Sequence, residues 1–224
     1  MKKISLFVIC VIASFFISCE PNITNLNSHE YVDLGLSVKW ATCNIGAAKP
    51  EDFGDYFAWG EVKTKDIFSV STYKWYNGSI ESITKYNNLS DFGTVDNKFI
   101  LEESDDAAII NWGGGWRMPT KEEIIELCEQ CTWAWTVLNG VNGYKVVGPN
   151  GNSIFLPAAG YIGEDFGGDE DELCLCYWSQ SMYVYNEDYY PWVAYCLYAY
   201  YSEVSPLCDG LNRDAGCPIR AVCP

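Results

Sequence analysis

Between positions 183 and 192 the chain sets Tyr183, Tyr185, Tyr189, Tyr190 and Trp192 around Asn186, Glu187 and Asp188, with Pro191 just before the tryptophan. The chemistry these types offer is recognition. Rigid amphipathic rings supply contact area with few torsions to freeze, and Asn and Asp orient a ligand through hydrogen bonds. The polar interruption and the proline mark an exposed loop carrying aromatics. The expected contacts are therefore Tyr183, Tyr185, Asn186, Asp188, Tyr189, Tyr190 and Trp192, joined by Asp209 and Asn212 further on. The run from Trp192 to Tyr201 admits two readings. Its alternate members are the buried face of a strand or further ligand contacts, because aromatic residues also favour sheets.

No residue pattern points to catalysis, and none is expected to hold a cofactor or metal. His29 is the only histidine and lies in a polar segment expected to stand outside the fold, which leaves no Ser-His-Asp or Cys-His nucleophile. The acidic run Glu164, Asp165, Asp169, Glu170, Asp171 and Glu172 lacks the alternating ligand spacing of a calcium loop and reads as solvated. Cys128 and Cys131 stand one helical turn apart with no second cysteine pair or histidines to complete a zinc site.

Lys2 and Lys3 precede an apolar run, Ile4 to Ile17, that ends in Ser18-Cys19. The run is short of the roughly 20 apolar residues a bilayer-spanning helix needs. It reads as a secretion signal over 1–18, with Cys19 as the lipidated first residue and 19–30 as a tether. The expected location is the outer membrane or cell surface, with the lipid anchor as the sole membrane contact. The formal net charge is −16, and losing the two leader lysines takes it to −18. That charge excludes nucleic acid and other polyanions as partners. The expected partner is an extracellular glycan or protein. Nine cysteines remain once Cys10 and Cys19 are set aside, an odd number for an exported chain, with Cys43–Cys131 the first candidate disulfide.

These groups need a scaffold, and residues 31–224 suffice for one domain. Thr120 with Glu123 forms a capping box ahead of a helix whose inner face carries Ile124, Leu127, Cys128 and Cys131. A short helix is expected over 105–111. Short strands separated by Gly and Asn turns are expected near 33–41, 55–60, 144–147, 153–156, 177–181, 193–200 and 219–222. Residues 64–103 read as long loops. Few helices among many antiparallel strands make an α+β domain.

Val32-Asp33-Leu34-Gly35-Leu36, Trp40-Ala41-Thr42-Cys43-Asn44-Ile45-Gly46, the segment Pro50 to Glu61, Trp116-Arg117-Met118-Pro119-Thr120 and the segment Gly148 to Gly160 resemble the major paralogous domain of bacterial surface lipoproteins called FISUMP. The resemblance implies a C-type lectin-like fold shared with formylglycine-generating enzymes, in which Arg117-Met118-Pro119-Thr120 opens a helix and Pro218-Ile219-Arg220 matches a terminal strand. It implies no activity here. The copper-holding cysteine pair of those enzymes has no counterpart, since Cys208 and Cys217 stand nine apart in a different context. Some proteins of that superfold are targets of diversity-generating retroelements, which rewrite a C-terminal binding face. The lysine-free tail with its scattered cysteines fits that origin, and ordinary drift in exposed loops is the alternative. The rival classes are a structural subunit of a surface appendage and an enzyme of that superfold.

Overall fold

Thr120 begins helix α2 (Lys121–Gln130) as its sequence requires. Its hydroxyl accepts from Glu123 N at 3.1 Å, and Glu123 accepts from Thr120 N at 2.8 Å. Glu123 also grips the Arg117 guanidinium through two hydrogen bonds of 2.5 and 2.7 Å, which ties the helix start to the strand-like segment before it. Ile124 and Leu127 face the core, while Cys128 and Cys131 are only half-buried. The shorter helix α1 (Ala107–Trp112) starts at Asp106, whose carboxylate accepts from Ala108 N and Ile109 N and, across the fold, from Met118 N.

The computed structural model describes residues 23–26, 28–163, 174–185, 188–200 and 207–224. The leader, Cys19, Asn186 and the acidic run 164–172 lie outside them. Around the helices stand three small antiparallel sheets, an α+β arrangement. The first orders β1 (Ile23–Leu26), β2 (His29–Val32), β3 (Lys39–Ala41) and β10 (Val222–Cys223). The second is a meander of β4 (Thr132–Leu138), β5 (Val141–Val147) and β6 (Ser153–Pro157). The third joins β7 (Cys174–Tyr185), β8 (Asp188–Tyr200) and β9 (Leu207–Asn212).

Sheet three is central because both of its faces are covered. Alternation along β7 sends Cys176 and Trp178 to one cluster, with Trp59, Trp116 and Ile219, and Leu175 and Tyr177 to another, with Trp40, Ile124 and Leu156. Strand β8 divides likewise, Ala194 and Cys196 to the first and Leu197 and Ala199 to the second. That is why the run from Trp192 onward carries small residues between its rings.

Three expectations need correction. The proposed tether enters the fold: β1 pairs with β2 from Ile23↔Val32 to Leu26↔His29, and Thr42 N donates to Glu30 O, so the domain begins before residue 31. His29 therefore lies inside the domain. Cys43 and Cys131 are free thiols here, as is every cysteine among the described residues, so the expected Cys43–Cys131 disulfide is not present in this structure. Residues 55–60 contribute only the bridge Phe57↔Cys217, not a strand.

The long segment 64–103 has little regular structure beyond two short 3₁₀ turns and a third, Glu103–Asp105, at its end, yet Phe68, Tyr73, Tyr76 and Ile83 build a small core with Ala58. Its polar anchor is Asp105, which accepts from Lys85, from Tyr86 Oη at 2.6 Å and from Lys74 at 3.2 Å. Burial pushes the Asp105 carboxyl up, and the hydrogen bonds from Lys85, Tyr86 and Lys74 together outweigh it and hold it below its ordinary 3.8. A depressed acid contributes stability above its unfolded value and loses it as pH falls through the folded one. Asp105→Asn should therefore cost about 2 kcal/mol at neutral pH, and the difference should shrink steadily as pH falls below 3.8. Urea melts of both chains across that range check this, and a pH-independent difference would refute the charge assignment. Lys85 carries the opposite sign. Burial pulls its ammonium down, but its bonds to Asp105 and Glu102 raise it above 10.5, so its share persists until strongly alkaline pH.

Candidate functional site

The tip of sheet three is shaped by a break in the β7–β8 ladder. Pairing runs from Cys174↔Tyr200 to Trp178↔Cys196, shifts at Met182↔Ala194, and shifts again at Val184↔Tyr189 before closing at Tyr185↔Asp188. The second shift leaves extra residues on β8 around Pro191, which has no N–H to give to a ladder and so sits naturally in a bulge. The bulge is held from behind by Arg213, a fully buried residue that follows β9. Its Nη1 donates to Pro191 O at 2.5 Å, and its backbone N donates to Trp192 O at 2.9 Å.

In front of the bulge Tyr183, Tyr190, Val193, Asp209 and Gly210 line a depression of about 230 Å³. The Tyr183 and Tyr190 rings stand 6.0 Å apart at 60°, and Tyr183 leans on Tyr195 at 4.7 Å. Tyr195 is fixed in turn by its hydroxyl, which donates to Val184 O at 2.5 Å, and Lys121 at the start of α2 lies 5.0 Å over its ring. Asp209 accepts from Gly210 N at 2.8 Å and lies 3.5 Å from the Tyr183 hydroxyl. Gly210 is required for this arrangement. A Cβ there would stand 2.6 Å from Val193 Cγ1 and 2.7 Å from the Tyr183 ring.

Of the expected contacts, Tyr183, Tyr190 and Asp209 meet at this depression. Tyr185 and Asp188 pair through their backbones at the hairpin tip. Tyr189 is exposed but turned toward Phe99, at 5.6 Å, and Asn212 is an exposed β9 residue opposite Val193. Trp192 does not serve as a free contact. Its ring packs on Phe92 at 4.8 Å and on the small core of residues 68–83, meeting Tyr190 edge-on at 5.6 Å. Removing Tyr189 and Trp192 together would therefore disturb packing as well as any binding. Sequence reasoning missed Val193 and Gly210. The Asp209-Gly210 pair inside a region read as loop was the available signal, since a glycine in a strand marks close approach of another group.

Other hollows among the described residues stand apart from this site. One of about 350 Å³ lies on the outer face of the β4–β6 sheet, walled by Val32, Pro50, Val137 and Phe155 with Lys145 at its edge. Another of about 350 Å³ runs past Gly113, Trp116 and Arg117. A further one, about 300 Å³, is bordered by His29, Glu30, Cys43 and Trp112. There the imidazole stacks on Trp112 at 3.9 Å, and burial lowers its pKa. Histidine and cysteine thus share one hollow, contrary to expectation, but no hydrogen bond joins the two side chains among the described residues. Among those residues, too, no group of three or more His, Cys, Asp or Glu side chains could hold a metal ion, and no helix is long and apolar enough to cross a membrane. No protein-family model matches this chain, and neither the curated proteins nor the solved structures provide a match.

Proposed function

We propose that this chain is a lipid-anchored surface protein of FISUMP type, with a C-type lectin-like fold, that binds an extracellular ligand without catalysis. The observation that carries the reading is the depression between Tyr183, Tyr190 and Asp209. Two rings set at an angle and one exposed carboxylate match what a single sugar residue needs, an apolar face to stack on and an acceptor for its hydroxyls. A glycan is accordingly the first ligand class, and a protein side chain of similar size is the second. Lys2, Lys3, the apolar run and Cys19 support the anchor and the outer-membrane or cell-surface location. The tail's composition supports extending the reading to a retroelement-diversified receptor. Deep sequencing of codons 177–224 beside a neighbouring near-copy tests that extension.

A glycan array probed with the folded domain should return binding that Asp209→Ala strongly weakens. Asp209 is exposed, so this change should leave unfolding within about 0.5 kcal/mol of the parent. A blank array together with a heat-stable oligomer would instead identify an appendage subunit. Turnover that depends on one thiol or carboxylate would identify an enzyme.

A further inference from the structure

We infer that Cys176 and Cys217 form a disulfide under the oxidising conditions an exported chain meets, closing the whole aromatic hairpin into a covalent ring. Both are free thiols in this structure, with their sulfurs 3.3 Å apart and both residues fully buried. A disulfide bond is about 2.0 Å long, so a small side-chain rotation suffices. The backbone already holds the two segments together. Trp178 N donates to Pro218 O at 3.3 Å, and Cys217 exchanges two hydrogen bonds of 3.0 Å with Phe57.

Cys196 is the competing partner, since its thiol also hydrogen-bonds Cys176. Strand geometry decides between them. The ladder sets Cys176 opposite Tyr198 and Cys196 opposite Trp178, which makes the two cysteines diagonal neighbours. Diagonal Cα atoms are about 7–8 Å apart, beyond the roughly 4.4–6.8 Å a disulfide spans. Cys217 enters from a different segment and is free of that constraint.

The oxidant is a small-molecule or protein disulfide. One cysteine thiolate attacks a donor sulfur and expels the first donor thiolate. The second cysteine then attacks the mixed disulfide and expels the other. Two electrons pass to the donor, and the two cysteine protons end on its released thiols. Burial raises the pKa of both Cys176 and Cys217, so thiolate is scarce once the strands have packed and exchange belongs to folding. The link joins residues 41 apart and encloses Tyr183, Tyr190 and Asp209. It would brace the base of the binding sheet while leaving its tip free to vary, and it does not depend on which ligand binds there.

The test is to refold the reduced, denatured chain with oxidised glutathione, alkylate it under denaturing conditions and map its peptides by mass spectrometry. The expected product is a Cys176–Cys217 peptide pair two hydrogens lighter than the free thiols. Its melting temperature should be roughly 10 °C above that of the chain refolded with reductant. Cys196→Ser should keep the link and Cys217→Ser should lose it. If Cys217→Ser does not fold, the Cys196→Ser map decides alone. Alkylated Cys176 and Cys217, or a Cys176–Cys196 link, overturns the proposal.

Discussion

Arg213→Met should destabilise the domain by about 4 kcal/mol, among the largest losses any single side chain here can cause. The guanidinium is fully buried and answers to neutral groups alone among its hydrogen bonds. It donates to Tyr73 Oη at 3.0 Å, to the carbonyls of Tyr86 and Pro191 at 3.0 and 2.5 Å, and to that of Lys85 at 3.1 Å. The rings of Trp59, Tyr73 and Tyr86 surround it, with centroids 4.7 to 5.8 Å from its central carbon. Methionine fills much of the volume but donates nothing, leaving three carbonyls without their donor inside the protein. Each orphaned group costs about 1–3 kcal/mol, and the sum falls short of additivity because the segment relaxes. Arg213→Lys should lie between the two, because one ammonium cannot replace a planar fork that reaches segments 73–86 and 191 together. Urea unfolding followed by tryptophan fluorescence measures both. Amide exchange should also quicken at Tyr190, Trp192 and Val193, where Arg213 supports the bulge. A methionine variant within 1 kcal/mol of the parent would show that water or neighbouring donors replace the guanidinium.

That residue marks where sequence reading stopped. Arg213 and Arg220 are both fully buried in a strongly acidic chain, and nothing in local pattern separates them from solvated arginines. Arg220 donates to Asn44 Oδ1 at 2.8 Å and to the carbonyls of Ala41 and Thr42, partners more than a hundred positions earlier. Such long-range pairing leaves no local trace. Helix α2 was legible because a capping box and one apolar face are properties of adjacent residues. Strand β8 was legible from Val193 onward for the same reason, but its first part, Asp188 to Trp192, belongs to the strand although the polar interruption and Pro191 mark a loop there. Strand β4 was not foreseen, although Thr132-Trp-Ala-Trp-Thr-Val-Leu138 is rich in sheet-forming types, because it follows the helix without a turn signal. Strands β1 and β2 were hidden by polar composition. Their order comes from ladder bonds between the two strands and from β2 to β3, which sequence periodicity does not report. The candidate site was half legible. Aromatic crowding located the hairpin, but only the bulge at Pro191 decides which rings point into the depression and which pack beneath it.

The distinction between rings yields the second large effect. Tyr183→Ala and Asp209→Ala should each weaken binding of an array-identified glycan by roughly 30- to 100-fold, the scale of a central interface residue. Tyr189→Ala should change it less than about threefold. Tyr189 is the more exposed residue and on composition alone the better contact, yet its ring lies against Phe99 and does not line the depression. Tyr183 is half-buried, but one side of its ring meets Tyr195 and Gly210 while the depression opens beside it. Gly210→Ala gives an independent check. The added methyl has no room between Val193 and the Tyr183 ring, so the ring must swing away and affinity should fall as it does in Tyr183→Ala. Titration calorimetry on the four variants, each with a thermal melt, separates loss of contact from loss of fold. If Tyr189→Ala abolishes binding while Tyr183→Ala and Gly210→Ala keep it, the ligand sits on the Phe99 side of the hairpin and the depression is not the site. The ranking follows from where the bulge turns each ring, so it tests the local fold and the functional reading together.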